Sequence, residues 1–211
     1  PPSDWSDRSI LFQARIMTHS RCTFVILVLF LAASGHQPAA AAAPAAMPPR
    51  PAGNANVEAV VAKGCSTALY KDFCITAVGA AVRSKVGVVD LGSVAAAAIE
   101  LAKSNAAAVS SLINLLLDGE TDTATEQCLT DCAESYQDAI EQLNDSMEAV
   151  ETKGYADAST WVTVAMSDAD TCGNGFKEMK GAASPLTASN DAFNKLCSSV
   201  LSIVNVARGD A

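Results

Sequence analysis

Residues 121–152 read TDTATEQCLTDCAESYQDAIEQLNDSMEAVET. Within them Leu129, Cys132, Tyr136, Ala139, Ile140, Leu143, Met147 and Val150 recur at intervals of three and four, the period that lines one side of an α-helix. No proline interrupts the run, and Lys153-Gly154 follows it. A cation suits the negative pole of a helix, and glycine accepts the left-handed cap. So long an apolar stripe needs equally long partners, and the flanking sequence supplies them.

Upstream, Asp90 stands where an N-cap would open a helix over Leu91–Leu117. Its apolar residues Val94, Ala98, Leu101, Ala102, Val109, Leu112 and Leu116 keep roughly the same period, and Asp118-Gly119 stops it. Downstream, a third long helix is expected from Tyr155 to Lys180, with Trp161, Val164, Ala165 and Cys172 inward. Trp161 reads as core, the usual place for a large aromatic on an apolar helix face. Gly181 to Pro185 breaks the chain, and a fourth helix covers Thr187 to Ala207. Before them, Val57, Val60, Val61 and Leu69 mark one short helix, and Phe73, Ile75, Val78 and Val82 another. The expected fold is all-α: a four-helix up-and-down bundle preceded by a short N-terminal helical hairpin. Composition agrees, with 50% hydrophobic but only 5% aromatic residues, since alanine favours helices and aromatic residues favour sheets.

The N-terminal quarter reads differently. Met17 to Arg21 precede a twelve-residue apolar stretch, Cys22 to Ala33, and small residues cluster around Ala39 to Ala43, the order of a secretory signal. Twelve residues are too few for a membrane span, which takes about 20. The expected organisation is a leader outside the native protein at 1–16, a signal peptide at 17–43, a Pro/Ala-rich linker at 44–53 and one folded domain at 54–211.

Charge narrows the function classes. Fourteen Lys+Arg against 23 Asp+Glu give a net charge of −9, which leaves no basic patch for a nucleic-acid backbone. The two histidines, His19 and His36, lie upstream of the domain. Ser-His-Asp, Cys-His and histidine–metal sites are thereby excluded from it. Of seven cysteines, Cys22 leaves with the signal, and Cys65, Cys74, Cys128, Cys132, Cys172 and Cys197 remain. In a secreted chain these read as a disulfide framework, not a zinc site, with the pairing left open. No cofactor is implied.

Between Asp118 and Asp170 there are fourteen acidic residues and one basic residue, Lys153. Glu134, Asp138, Glu141, Asp145 and Glu148 share one helical stripe, where like charges three and four apart mildly destabilise the helix. One reading is a solvated outer face; the other is a docking surface for a basic protein. A glycosidase would need two carboxyls about 5–9 Å apart across a cleft, which an exposed stripe does not offer. Asn144-Asp145-Ser146 on the same helix is a glycosylation sequon.

Three stretches together carry a resemblance. They are Cys65-Ser-Thr-Ala-Leu-Tyr-Lys-Asp-Phe-Cys74, Asp131 to Leu143 (DCAESYQDAIEQL) and Trp161 to Phe176 (WVTVAMSDADTCGNGF). In this order and spacing, from about Asn56 to Ala207, the chain resembles the plant invertase and pectin methylesterase inhibitors. It departs at Lys71, where the family usually has proline. The resemblance implies bridges Cys65–Cys74 and Cys132–Cys172. Cys197 falls where many relatives carry a lone thiol, and Cys128 is an addition, so a Cys128–Cys197 bridge stays open. It further implies that Glu134, Asp138, Glu141 and Thr171 face a target enzyme.

The implied protein is not an enzyme but a secreted, monomeric inhibitor of the apoplast or cell wall. It would bind plant pectin methylesterase in a reversible one-to-one complex that covers the substrate cleft, with no nucleic-acid partner and no membrane association after signal removal. The alternatives are an invertase target or a non-inhibitory apoplastic role. Cell-wall invertase inhibitors carry Pro-Lys-Phe before the third bundle helix, where this chain reads Lys153-Gly154-Tyr155-Ala156.

Overall fold

The computed structural model describes residues 52–84, 89–119, 122–180 and 182–209. The expected leader and signal segments, 1–16 and 17–43, lie outside these residues. The helices are α1 (Ala52–Gly64), α2 (Lys71–Arg83), α3 (Leu91–Leu117), α4 (Thr123–Glu151), α5 (Tyr155–Glu178) and α6 (Thr187–Gly209), and no strand occurs among the described residues. α1 starts at Ala52, so it takes in the last two positions assigned to the linker. A proline just upstream does not prevent this, because the first N–H groups of a helix have no intrahelical acceptor.

The four long helices form a ring in which α3 packs on α4 and α6, and α5 packs on the same two. Short connections make neighbours antiparallel, an up-and-down bundle. α3 is lined with alanines: Ala95, Ala97, Ala98, Ala102 and Ala106 are buried alongside Val94, Ile99, Val109 and Ile113. Side chains this small let the adjoining helices approach closely without loss of rotamer freedom.

Local chemistry sets the helix ends. The Ser93 amide donates to Asp90 Oδ1 at 2.7 Å, and the Asp90 amide donates to Ser93 Oγ at 2.9 Å, a reciprocal capping box. Hydrogen bonding of the carboxyl to Ser93, by its amide first and its side chain second, holds Asp90 below the usual carboxylate range. At α4, Asp122 Oδ1 accepts from the Ala124 and Thr125 amides, both at 3.1 Å. The C-terminus of α4 departs from expectation: Lys153, not Gly154, takes the left-handed conformation, with φ 59°. The Gly154 amide donates to the Ala149 carbonyl at 2.7 Å and the Lys153 amide to that of Val150 at 3.0 Å. This pair of bonds defines a Schellman cap, and it fixes the left-handed residue one position before the glycine.

The hairpin of α1 and α2 is closed by Cys65–Cys74 and packs on α3 and α6. Buried Ser202 of α6 latches it: Ser202 Oγ donates to the Gly64 carbonyl and accepts from Thr67 Oγ1, both at 2.9 Å. Leu69, expected inward on the first short helix, is 78% exposed. α1 has already ended at Gly64, and Leu69 lies in the turn that the disulfide closes.

The second bridge, Cys132–Cys172, ties α4 to α5, while Cys128 and Cys197 are free and buried. A Cys128–Cys197 bond is out of reach for a geometric reason. Tyr136 of α4 meets Asn190 and Phe193 of α6, and these helices run parallel across the ring. Cys197 is therefore level with α4 residues three to four turns below Cys128, about 20 Å along the axis.

At the centre, Tyr136 Oη donates to Asn190 Oδ1 at 2.8 Å, and Asn190 Nδ2 donates to the Ala169 carbonyl at 3.4 Å. The Phe193 ring meets that of Tyr136 edge-on at 5.6 Å. Burial pushes the Tyr136 hydroxyl well above its ordinary pKa, so it remains a donor. Tyr136→Phe is expected to lower the unfolding free energy by about 1–3 kcal/mol, because it strands a buried amide oxygen. Urea denaturation checks this, and an unchanged midpoint would mean that Asn190 finds another donor.

Candidate functional site

Two cross-links set the register of α4 against α5. Cys132 and Cys172 are joined with Cα atoms 4.6 Å apart, and buried Ser146 donates its hydroxyl to the Ala158 carbonyl at 3.2 Å. Between these points the inward stripe of α5 is Ala158, Val162, Ala165, Ala169 and Cys172, all buried. It meets Cys132, Tyr136, Ala139, Leu143 and Ser146 of α4.

This close seam corrects two expectations. Trp161 and Val164 do not point inward; they are 36% and 37% exposed. A helix face held near its partner by small residues has no room for an indole, and the inward stripe steps from Ala158 to Val162 to Ala165. Its strict spacing of four and three was the signal in the sequence, and it leaves Trp161, Val164, Asp168 and Thr171 on a stripe of their own.

On α4, Glu134, Asp138, Glu141, Asp145 and Glu148 are all exposed. The structure brings the resemblance-derived positions Glu134, Asp138 and Glu141 onto this one stripe, and Thr171 onto the flanking stripe of α5. The Thr171 hydroxyl donates back to the Ser167 carbonyl at 2.8 Å, and the residue is exposed. Glu141 accepts a long bond, 3.4 Å, from Gln137. Asp168, which sequence reasoning did not single out, is half-buried, and its Oδ2 has no protein hydrogen-bond partner. Burial, and secondarily the charge of Asp138 across the seam, push its pKa up. An uncompensated carboxylate of this kind favours an incoming cation.

Toward the α4–α5 turn the face deepens into an open groove of about 540 Å³, lined by Asp145, Glu148, Ala149, Thr152, Asp157, Thr160 and Trp161. Asn144 is exposed beside it, whereas Ser146 of the same sequon is fully buried. Among the described residues, no group of three or more His, Cys, Asp or Glu side chains is placed to hold a metal ion. The arrangement offers charge and an aromatic on a rigid two-helix surface, which is the chemistry of protein docking.

Comparison with known proteins adds the following. Residues 59–203 match the family model described as plant invertase/pectin methylesterase inhibitor. A protein of Platanus orientalis named "Putative invertase inhibitor" is 31% identical over 135 residues, covering 64% of this chain and 78% of that protein. The "Pectinesterase inhibitor" of Actinidia deliciosa is 26% identical over 120 residues, covering 57% of this chain and 65% of that protein. Among solved structures, a mutant form of a pectin methylesterase inhibitor from Arabidopsis superposes with a TM-score of 0.57 at 21% identity. It covers 67% of this chain and 92% of the other, a likeness of fold.

Proposed function

Since this chain belongs to the plant invertase/pectin methylesterase inhibitor family, whose members are proteinaceous inhibitors and not catalysts, we propose that it inhibits pectin methylesterase. In this reading a secreted monomer forms a reversible one-to-one complex in the cell wall, covers the enzyme's substrate cleft, and so regulates pectin. The apolar segment and small residues within 17–43 support secretion, and no helix among the described residues is long and apolar enough to cross a membrane.

The observation that carries the reading is the exposed α4–α5 face, acidic along its length and held rigid by Cys132–Cys172. Carboxylates on a fixed frame steer a basic partner at little ordering cost. Glu134, Asp138, Glu141 and Thr171 are its proposed enzyme contacts. Asn144 accepts a glycan only before folding, since Ser146 is then buried, and docking is expected of the unglycosylated form.

Invertase is the second reading, and the Platanus relative favours it. Against it stands the α4–α5 turn, Lys153-Gly154-Tyr155-Ala156, which lacks the Pro-Lys-Phe stretch. Titrating purified plant pectin methylesterase with the oxidised protein at mildly acidic pH separates the two. A stoichiometric fall in activity, with a one-to-one complex in size-exclusion chromatography, is expected. Undiminished activity beside a folded inhibitor, with invertase inhibited in parallel, would transfer the target.

A further inference from the structure

The groove at the α4–α5 turn holds an exposed tryptophan among carboxylates. Trp161 is the one tryptophan among the described residues, and more than a third of it is open to solvent. Asp145 and Glu148 of α4 and Asp157 of α5 line the same groove. Among the described residues none of these three carboxylates is in a salt bridge. Their placement on the helices is unequal. Asp157 lies in the first turn of α5, where the positive pole welcomes it. Glu148 and Glu151 lie at the last turns of α4, where the negative pole disfavours them and no basic residue stands within the helix, the nearest cation being Lys153 in the cap. An exposed indole in one groove with three carboxylates, of which Glu148 also opposes its own helix pole, is complementary to one chemistry, a cation with a flat face.

We infer that this groove receives an arginine side chain from the surface of the partner protein. The guanidinium stacks on the Trp161 indole while its edge donates to Asp145, Glu148 or Asp157. Arginine is favoured over lysine because it is planar, pairs bidentately with carboxylates, and is weakly hydrated. The groove, at about 540 Å³ and open to solvent, admits the whole side chain. This assignment rests on the reading of the α4–α5 face as the docking surface. It goes further in naming an anchor outside the Glu134–Asp138–Glu141 stripe and the residue type that fills the site.

The chain contains two tryptophans, so Trp5→Phe in the full-length protein leaves Trp161 as the sole indole reporter. Its emission is followed during titration with hexa-arginine and with hexa-lysine at low ionic strength. The expected result is a saturable change with hexa-arginine, at least threefold tighter than with hexa-lysine. Asp145→Asn, Glu148→Gln and Asp157→Asn together should weaken it at least tenfold. No saturable change, or one indifferent to the three substitutions, overturns the site whichever enzyme is the target.

The second arm compares Trp161→Ala and Trp161→Phe against the enzyme that the wild-type protein inhibits. A rise in inhibition constant of roughly tenfold to a hundredfold is expected for alanine, with phenylalanine between, at unchanged thermal midpoint. An unchanged constant overturns the role in docking and leaves the choice of enzyme untouched.

Discussion

Replacing Cys132 and Cys172 together by alanine is expected to lower the unfolding free energy by about 4 kcal/mol, the chain-entropy estimate for a loop of this length. The bridge spans 40 positions of sequence. The Cys65–Cys74 bridge spans nine, for which the same relation gives about 2.5–3 kcal/mol. Both cysteines must go at once. If Cys172 alone remained, Cys128 would sit one turn from the vacated position 132 and could pair with it. In the native protein burial, with Asp131 and Asp122 behind it, raises the Cys128 thiol pKa, and thiolate is the exchanging species. Urea denaturation of the double variant against the oxidised wild type measures the loss. Coincident midpoints would show that the bridge constrains nothing the helices do not already hold.

Converting Glu134 and Glu141 to glutamine and Asp138 to asparagine is expected to slow association with the target enzyme roughly tenfold or more at low salt, with dissociation little changed. Stopped-flow association at two ionic strengths reads it out. If rates match the wild type at low salt, the stripe is a solvated face and no more. The same carboxylates predict weaker binding as pH falls through their titration range. Burial, and secondarily the charge of Asp138, raise the pKa of Asp168, so it loses its charge at a higher pH than an ordinary aspartate.

The stability of the free inhibitor moves the other way at this residue. A carboxyl whose folded-state pKa is raised contributes stability that is present below its unfolded pKa and lost as pH rises through the folded value. Asp168→Asn should therefore raise the thermal midpoint at neutral pH while slowing association. An association rate unchanged by the substitution would show that Asp168 does not face the partner, and an unchanged midpoint that its burial costs the fold nothing.

The bundle was legible in sequence because its helices are punctuated by chemistry with few alternatives. Asp90 before Leu91 and Asp118-Gly119 after Leu117 bound α3 at the residues where the structure ends it. The periodicity of α4 likewise survives in its buried residues Leu129, Cys132, Tyr136, Ala139, Leu143 and Val150. α5 was harder to read. From Ala158 to Ala169 its inward side is built from alanine and valine, so hydrophobicity alone assigned the largest apolar residue, Trp161, to the core. Which apolar residues face in depends on the distance to the neighbouring helix, and the Cys132–Cys172 bridge and Ser146 set that distance. Asp168 was hidden for a related reason: its burial comes from packing against another helix, and Asp138, the charge that perturbs it, is thirty positions away. Lys153 took the left-handed position because the Schellman bonds fix which residue follows the cap, and the adjacent glycine drew the expectation to itself.

The two seams of α5 differ in kind. Toward α4 it is bonded covalently, while toward α6 it is held by apolar contacts and by single bonds such as Asn194 to Asp170 at 2.8 Å. Transient opening then follows the weaker lines, with the hairpin and α6 parting from the rest before α4 and α5 separate. In hydrogen exchange the buried amides along the α4–α5 seam should be the slowest of the molecule, and those of α1 and α2 among the faster. A protease meeting such a partly opened molecule would trim the periphery first, and the two-helix unit proposed to dock would be the last part to lose its shape.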